Sequence, residues 1–465
     1  MIKKHWLLFV VLLAIILRLP LLGGSFWLDE AAQAIESSRS LSQQYRIPDD
    51  FQPPLFHYVT HFMLLASGEE WWLRSSSLAF GVGTIAVLYL LVKKTHGEST
   101  ARIASLLLAL SPFHIFFSQE LRPYSIACFF GILSWYGLVS KKNWLFIIAN
   151  VLGMYTMYLF PLVTVSQLLY IFFEQRKRFR ISILLSLLSY LSFLPWLPFF
   201  FEQLQHGKLL QSTLPGWSTA VAIAQWKALP LTLSKFFIGQ VTFTGHPYMY
   251  VIAMIAICIF LGGSVFLFKK KGNRIFIYWW VIPLILAWVI SFWTPVIAPK
   301  RLLYILPAIL TIIALIPKKT IIYGFLLLSV VCTAWYYFDP NLQREDWRSL
   351  ISQIETDAMR SRAVALFSFP ESFAPWRWYS DSSVQGIATG KLLISSQSQA
   401  DETLNTISAT TVYVFDYLTD LTDPHHFLVE GMREKGWREL RVLDGKQIGF
   451  VHIYTTSTMA QALVQ

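Results

Sequence analysis

Long apolar stretches recur along the first three-quarters of the chain, and polar residues between them are confined to short connections. Each stretch runs for roughly 16 to 22 residues, and a bilayer core of about 30 Å needs about 20 helical residues to cross. The pattern therefore predicts eleven transmembrane helices, over residues 5–22, 74–92, 101–117, 123–140, 143–159, 160–175, 181–200, 247–268, 274–293, 301–316 and 320–337.

Short cationic clusters occur at every second connection between these predicted spans. They are Lys3-Lys4, Lys93-Lys94, Lys141-Lys142, Arg176-Lys177-Arg178 with Arg180, Lys269-Lys270-Lys271 with Arg274, and Lys318-Lys319. By the positive-inside rule these connections are cytoplasmic. The N-terminus is then cytoplasmic, and an odd number of crossings places the C-terminus outside a cell membrane, either an inner or a plasma membrane.

The pattern changes after residue 337, where long apolar runs give way to short alternating ones. It predicts helices over 344–359 and 424–435 and strands over 363–369 and 410–415, with a hairpin of 440–443 and 447–454 closed around Asp444-Gly445. A segment of this length can bury a core of its own. We therefore expect two domains, a polytopic α-helical membrane domain over 1–337 and a small extracytoplasmic α/β domain over 338–465.

The composition agrees with a membrane protein, because 55% of residues are apolar and only 14% are charged. The net charge of +11 raises the question of a nucleic-acid partner. However, the basic clusters are short, dispersed and placed where topology requires them, so we predict no nucleic-acid partner. The cysteines Cys128, Cys258 and Cys332 lie inside apolar spans and are interpreted as packing residues.

A carboxylate pair, Asp29-Glu30, follows the first predicted span and opens an external connection over 23–73. Acids at a membrane surface, in a chain that otherwise carries few charges, are candidates for proton transfer. Glu30 has a second interpretation, as the ion-pair partner of Arg39 or Arg74. Asp29 is thus the leading catalytic candidate and Glu30 its companion.

The same connection contains an apolar stretch over 55–66 that is too short to span, and we predict a helix lying along the interface. His57 and His61 are one turn apart on it, but no third ligand has a fitting spacing, so no metal site is indicated. His57 remains a secondary candidate for the site. Asp49-Asp50 are expected to form a solvated turn before Pro53.

External basic residues break the positive-inside pattern at two places. Arg122 lies in a tight turn beside Glu120, which is a secondary candidate for the site, and Lys300 and Arg301 precede the tenth span. Charges placed against the topological rule favour a function, although Lys300 is equally well explained as an anchor to lipid phosphates. Guanidinium groups bind phosphate oxygens bidentately, which makes Arg122 and Arg301 candidate phosphate ligands.

Two further residues near these positions have open roles. Arg74, at the start of the second span, is either a site residue or an interface anchor. Tyr304, one turn after Arg301, either caps a phosphate or belongs to the interfacial aromatic belt.

External carboxylates and external cations together provide the chemistry for moving a group from a lipid-linked phosphate to a hydroxyl. Asp29 would accept the hydroxyl proton, and Arg122 and Arg301 would hold the departing phosphate. The chain has no nucleotide-binding signature, which favours a membrane-borne donor. The alternative is a transporter or flippase of lipid-linked glycan intermediates, but the internal repeat expected for a transporter is not visible.

Several short motifs occur in an order that resembles the GT-C glycosyltransferases, and specifically a family 39-like bacterial branch related to protein O-mannosyltransferases and lipid A aminoarabinose transferases. They are the acidic pair, Gln52-Pro53-Pro54-Leu55, Trp72-Leu73-Arg74, Ser111-Pro112, Ser118-Gln119-Glu120-Leu121-Arg122-Pro123-Tyr124, and Arg301 before Leu306-Pro307. The resemblance covers about residues 5–337, and the C-terminal segment does not look like the lumenal insertion of the mannosyltransferases.

The resemblance implies a role for four residues. Asp29 takes the position of the catalytic aspartate and Glu30 that of the second acid, while Arg122 and Arg301 match basic residues near the donor phosphate. It further implies a polyprenyl-phosphate donor, inverting transfer of a hexosyl or pentosyl group, and a lipid, glycan or protein acceptor in the cell envelope. Metal use varies among branches of the superfamily, so a divalent cofactor stays open.

Overall fold

The computed structural model describes residues 5–47, 50–214, 216–217, 225–243, 246–358 and 362–456. The chain divides into two compact units. The first, called the helical unit, comprises Met1–Gly23, Arg39–Leu204 and Thr219–Leu342. The second, called the sheet unit, comprises Gly24–Ser38, Gln205–Ser218 and Gln343–Gln465. The connection over 23–73 is therefore shared between the units, and its acidic pair is in the sheet unit.

The helical unit is built from α-helices and short 3-10 turns. The α-helices that begin in it are Trp6–Ile16, Leu41–Gln44, Leu55–Leu64, Glu70–His96, Glu98–Leu110, Pro112–Ser118, Tyr124–Val139, Asn143–Met154, Pro161–Glu174, Phe179–Leu191, Leu197–Thr213, Gln225–Ile238, Tyr248–Phe268, Arg274–Ile290, Leu306–Leu315 and Lys319–Phe338. The 3-10 turns are Arg176–Arg178, Leu194–Trp196, Lys271–Asn273, Pro299–Ile305 and Pro340–Leu342.

Within the described residues, five helices are long and apolar enough to cross a membrane, and a sixth span results if one bent pair is counted. The five are Glu70–His96, Arg176–Thr213, Tyr248–Phe268, Lys271–Ile290 and Lys319–Phe338, and the pair is Glu98–Leu110 with Pro112–Ser118. The chain is thus a multi-pass helical membrane protein, but the eleven predicted spans are not confirmed.

Breaks that hydropathy does not register account for the difference. At Ser111 the chain bends by 61°, because Pro112 has no amide hydrogen to continue the helix and the Ser111 hydroxyl caps the next helix through the His114 amide. Other predicted spans, such as those around Asn143–Met154 and Pro161–Glu174, are helices of 10–17 residues.

Buried polar contacts join three of these shorter helices. The Asn150 side-chain amide donates to Ser134 Oγ at 2.9 Å, and the Thr164 hydroxyl donates to Asn150 Oδ1 at 2.7 Å. Hydrogen bonds between small polar side chains are a usual means of helix association in lipid. Gly137 permits the close approach, since a Cβ there would lie 2.8 Å from the backbone nitrogen of Phe146.

The sheet unit contains a mixed five-stranded sheet of order β2-β1-β3-β5-β4. Its strands are β1 (Ala363–Phe367), β2 (Gln385–Ala388), β3 (Thr411–Phe415), β4 (Trp437–Gly445) and β5 (Gly449–Thr456). β1 is parallel to β2 and β3, whereas β5 is antiparallel to β3 and β4. The unit's other helices are Leu28–Ser38, Trp347–Ala358, Ala374–Tyr379, Gln397–Leu404, Thr419–Thr422 and Phe427–Glu434.

Side chains of alternate residues in β1 enter two different cores, as the period of a strand requires. Ala365 and Phe367 pack with Trp347 and Phe415 on one face, and Val364 and Leu366 pack into the other. The predicted C-terminal helices, strands and hairpin are confirmed with shifted ends, but Asp444 and Gly445 end β4 and the hairpin turn is formed by residues 446–448. The strand β2 and the helices Ala374–Tyr379 and Gln397–Leu404 were not predicted.

Candidate active site

The acidic pair occupies the first turn of the Leu28–Ser38 helix. Alanines at 31, 32 and 34 favour helix, and the amides of Glu30 and Ala31 both donate to the Trp27 carbonyl. Carboxylates are stabilised at this end of a helix by unpaired amide groups and the helix dipole. Glu30 is fully buried and Asp29 is half-buried, so Asp29 is the more accessible of the two.

Glu345 lies beside this helix start and had no place in the predicted site. Its Oε2 accepts hydrogen bonds from the Leu28 amide at 3.4 Å and the Trp347 indole at 2.6 Å, and its Oε1 accepts one from the Tyr417 hydroxyl at 2.9 Å. Burial raises the pKa of Glu345 to about 7, although these hydrogen bonds act to lower it, and the charge of Asp29 adds to the rise.

Two more contacts fix the same stretch of the sheet unit. The Arg344 guanidinium lies 4.0 Å from the Glu30 carboxylate, and the Phe26 amide donates to the Tyr379 hydroxyl at 2.7 Å. The backbone amides of Phe26 and Leu28 are therefore both bound by side chains that are far away in sequence. No local spacing in the sequence pointed to these partners.

In the helical unit, Arg122 lies in the turn before the Tyr124–Val139 helix. Its amide donates to the Glu120 carbonyl at 2.8 Å, and Glu120 itself is buried. The buried Gln119 holds the turn, because its amide donates to the Arg18 carbonyl at 3.0 Å and its carbonyl accepts from Tyr336 at 3.1 Å. The half-buried Arg122 side chain thus extends from a tightly held turn.

Lys300 and Arg301 lie in the 3-10 turn Pro299–Ile305. The Lys300 ammonium is 5.5 Å from the ring centre of Tyr124, which brings this turn beside the Arg122 turn. Arg301 Nη1 donates to the carbonyls of Pro295 and Val296 at 3.2 and 3.1 Å, which anchors the guanidinium to its own loop.

Tyr304 and Arg74 are placed deeper in the helical unit. Tyr304 is fully buried, and its hydroxyl donates to the Leu159 carbonyl at 3.2 Å. Arg74 is also fully buried, and its Nη1 donates to the Leu22 carbonyl at 2.8 Å. Both side chains therefore donate a hydrogen bond to a backbone carbonyl within the helical unit.

His57 is hydrogen-bonded to Asp50, and the expected solvated turn is therefore wrong for Asp50. Asp49 lies outside the described residues. His57 Nε2 is 2.6 Å from Asp50 Oδ2, and the Gln52 amide donates to the same oxygen at 2.5 Å. Desolvation acts to raise the pKa of Asp50, but His57, Arg122 and Gln52 together lower it. Asp50 is thus an anionic partner within electrostatic reach of Arg122.

His57 and His61 have separate partners rather than a shared one, since His61 Nδ1 is 2.7 Å from the Gln44 side chain. Among the described residues, no group of three or more His, Cys, Asp or Glu side chains is arranged to hold a metal ion. In the helical unit, the cations Arg122, Lys300 and Arg301 accompany the acids Asp50 and Glu120. The sheet unit separately contains the carboxylates Asp29, Glu30 and Glu345.

Residues 51–200 match the family model described as dolichyl-phosphate-mannose-protein mannosyltransferase. The match includes the Leu55–Leu64 helix and the Arg122 turn, whereas Asp29 and Arg301 lie outside it. None of the curated protein sequences matches the chain.

Two solved structures of an archaeal oligosaccharyltransferase have the same fold as this chain. The archaeal oligosaccharyltransferase AglB from Archaeoglobus fulgidus, in complex with an inhibitory peptide and a dolichol-phosphate, has a TM-score of 0.54 at 12% identity, over 98% of this chain and 75% of that one. The same enzyme in complex with Zn and sulfate has a TM-score of 0.52 at 12% identity, covering 98% and 73%. ArnT from Cupriavidus metallidurans in the apo state has a TM-score of 0.49 at 12% identity, covering 99% of both chains.

At such identities the likeness to the archaeal enzyme concerns the fold alone, since one fold can host several functions. The chain has the GT-C glycosyltransferase fold, and the resemblance to this superfamily found in its motifs is confirmed.

Proposed function

We propose that this protein is an integral membrane glycosyltransferase that transfers a sugar from a polyprenyl-phosphate donor to an acceptor hydroxyl at the outer face of the membrane. The observation that carries the proposal is the GT-C fold over nearly the whole chain, together with the family match over residues 51–200. The AglB structure contains a dolichol-phosphate, which supports a lipid-phosphate donor here.

Asp29 is the proposed general base. It is half-buried, so an acceptor hydroxyl can reach it, and it lies in the first turn of a helix whose approach is held by Glu345 at the Leu28 amide and by Tyr379 at the Phe26 amide. A base must be held within hydrogen-bond reach of the proton that it removes. Glu30 is fully buried next to Arg344, and we assign it the supporting part of the acid pair.

Arg122, Lys300 and Arg301 are the proposed ligands of the donor phosphate. Arginine retains its charge next to a low-dielectric medium and matches phosphate oxygens in pairs. The Lys300 contact with Tyr124 brings two cationic turns side by side. Asp50, which is paired with His57, partly balances the charge of Arg122 in the resting protein.

The proposed step is a single displacement at the anomeric carbon. The acceptor oxygen forms the new bond as the bond between the anomeric carbon and the phosphate oxygen breaks, and the electron pair leaves with polyprenyl phosphate. The acceptor proton moves to Asp29, and the configuration inverts. The cations stabilise the negative charge that develops on the departing phosphate.

The remaining parts of the proposal concern topology and substrates. The N-terminus is cytoplasmic, and the sheet unit lies outside an inner or plasma membrane, as the positive-inside rule requires. The transferred group is a hexosyl or pentosyl unit, and the acceptor is a lipid, glycan or protein of the cell envelope.

The test uses purified protein with radiolabelled undecaprenyl-phosphate sugars and a membrane extract as the acceptor source. Wild type is compared with Asp29→Asn and with Asp444→Asn, a matched control at the exposed hairpin end. We expect transfer by wild type and by the control, and a loss of about 10²- to 10⁴-fold with Asp29→Asn. Equal transfer by Asp29→Asn would remove Asp29 from the mechanism. No transfer from any donor, together with lipid scrambling in vesicles, would identify a flippase instead.

A further inference from the structure

Glu345 is a half-buried carboxylate to which three separate segments of the sheet unit donate hydrogen bonds. Leu28 begins the helix of the acidic pair, Trp347 begins the Trp347–Ala358 helix, and Tyr417 follows strand β3. No step of the proposed transfer uses this carboxylate. Burying such a group is unfavourable unless its oxygens are well bonded, and here both oxygens accept hydrogen bonds.

The two carboxylate oxygens of Glu345 accept hydrogen bonds from different donors. Burial and the neighbouring Glu345 charge raise the pKa of Tyr417, so its hydroxyl stays protonated and donates to Oε1. The other oxygen, Oε2, accepts from Trp347 and from Leu28. The Leu28 amide is therefore held by an atom that is itself fixed by the Trp347 indole.

We propose that Glu345 is the positioning residue of Asp29, because it fixes the backbone amide of Leu28 and thereby the direction of the next side chain. The proposal rests on the proposed function, in which Asp29 is the general base. A second anchor, the bond from the Phe26 amide to Tyr379, holds the chain two residues before Leu28. The C-terminal segment is thus part of the catalytic apparatus, since it sets the geometry of a base that lies more than three hundred residues earlier.

Two substitutions separate the effect of the hydrogen bonds from that of the charge. Glu345→Gln removes the charge but keeps groups that can form the hydrogen bonds, whereas Glu345→Ala removes both. A glutamine has the same shape, and it can accept from Leu28 and Trp347 through its carbonyl while its amide donates to the Tyr417 oxygen. We expect Glu345→Gln to retain kcat within about 3-fold. Glu345→Ala releases the helix start, and because a displacement near 1 Å can cost about 100-fold, we expect kcat to fall by about 10- to 100-fold with the donor KM nearly unchanged.

Hydrogen exchange provides a readout that does not depend on activity. The amides of the first turn after Leu28 should exchange faster in Glu345→Ala and at the wild-type rate in Glu345→Gln. Glu355→Ala is the matched control, because the Glu355 carboxylate is buried and accepts from Ser380 at 2.7 Å and from the Asp381 amide at 2.9 Å. It should leave kcat and the exchange of the Leu28 turn unchanged.

The outcomes separate this inference from the proposed function. If wild type transfers sugar but Glu345→Ala keeps full kcat, Glu345 does not position Asp29, and the proposed function stands. If wild type transfers from no donor, the proposed function fails, and unchanged exchange in Glu345→Ala would overturn the anchoring as well. If Glu345→Ala does not fold, Tyr417→Phe removes a single donor, and we expect a loss in kcat of about 5-fold; an unchanged kcat would overturn the inference.

Discussion

Glu345→Gln should abolish a pH dependence of stability that the wild-type protein shows between about pH 4.5 and pH 7. Burial raises the pKa of Glu345 from its ordinary value of 4.5 to about 7. The folded state therefore holds this proton more tightly than the unfolded state does. The resulting stabilisation is complete below pH 4.5 and is lost as the pH rises through 7.

The size of the effect follows from the two pKa values. The difference between 4.5 and about 7, at about 1.36 kcal/mol for each pKa unit, corresponds to about 3 kcal/mol. For a domain of about 150 to 250 residues, 1 kcal/mol shifts Tm by about 2 to 4 °C. The wild-type Tm should thus fall by about 6 to 12 °C relative to Glu345→Gln across this range.

The assay is thermal unfolding in detergent, followed by tryptophan fluorescence, for both proteins at half-unit steps from pH 4.5 to pH 8. Subtracting the Glu345→Gln curve from the wild-type curve removes the titration of all other groups that the two proteins share. A difference that stays flat over this range, or that changes in the opposite direction, would refute the assignment of a raised pKa to Glu345.

Three further predictions concern the helical unit. Asp50→Asn removes the charge that is paired with a buried histidine and should lower the free energy of unfolding by about 2 to 3 kcal/mol. Thermal unfolding measures this change, and Glu202→Gln, in an exposed ion pair, is the control that should have no measurable effect. Equal stability of the two variants would contradict the prediction. Arg122→Lys loses bidentate binding and should reduce kcat/KM for the donor by about 10-fold; unchanged steady-state kinetics would exclude Arg122 from the phosphate site. Gly137→Ala places a Cβ 2.8 Å from the backbone nitrogen of Phe146 and should cost about 1 to 3 kcal/mol; an unchanged Tm would contradict the close helix contact.

Local patterns in the sequence predicted those features that depend on nearby residues. The helix at Leu55–Leu64 and the hairpin of β4 and β5 were found because apolar spacing is a local signal. The turn of the hairpin was placed too early, since Asp444 and Gly445 belong to β4. The strand β2 was missed because it has only four residues and follows a serine-rich turn. Hydropathy also does not reveal where a helix bends, and the break at Ser111 therefore went unnoticed.

Parts of the candidate site were also beyond reach from sequence. Asp50 and His57 are only seven residues apart. This spacing could have suggested a contact between them, but Asp50 was assigned to a solvated turn instead. Glu345 pairs with a backbone amide 317 positions earlier, and only the tertiary fold brings the two together. The prediction for Asp29 rested on its local sequence context, whereas the contacts that hold the start of its helix could not be predicted from sequence.

The division of the sheet unit along the chain has a consequence for its synthesis. Leu28 is made before its partner Glu345, which follows 317 residues later. At about 5 to 20 residues per second, the ribosome needs about 15 to 60 s to cover that interval. The helix of Asp29 must therefore wait through the synthesis of the membrane helices before its anchor exists, and a chain interrupted before residue 345 cannot complete this part of the fold.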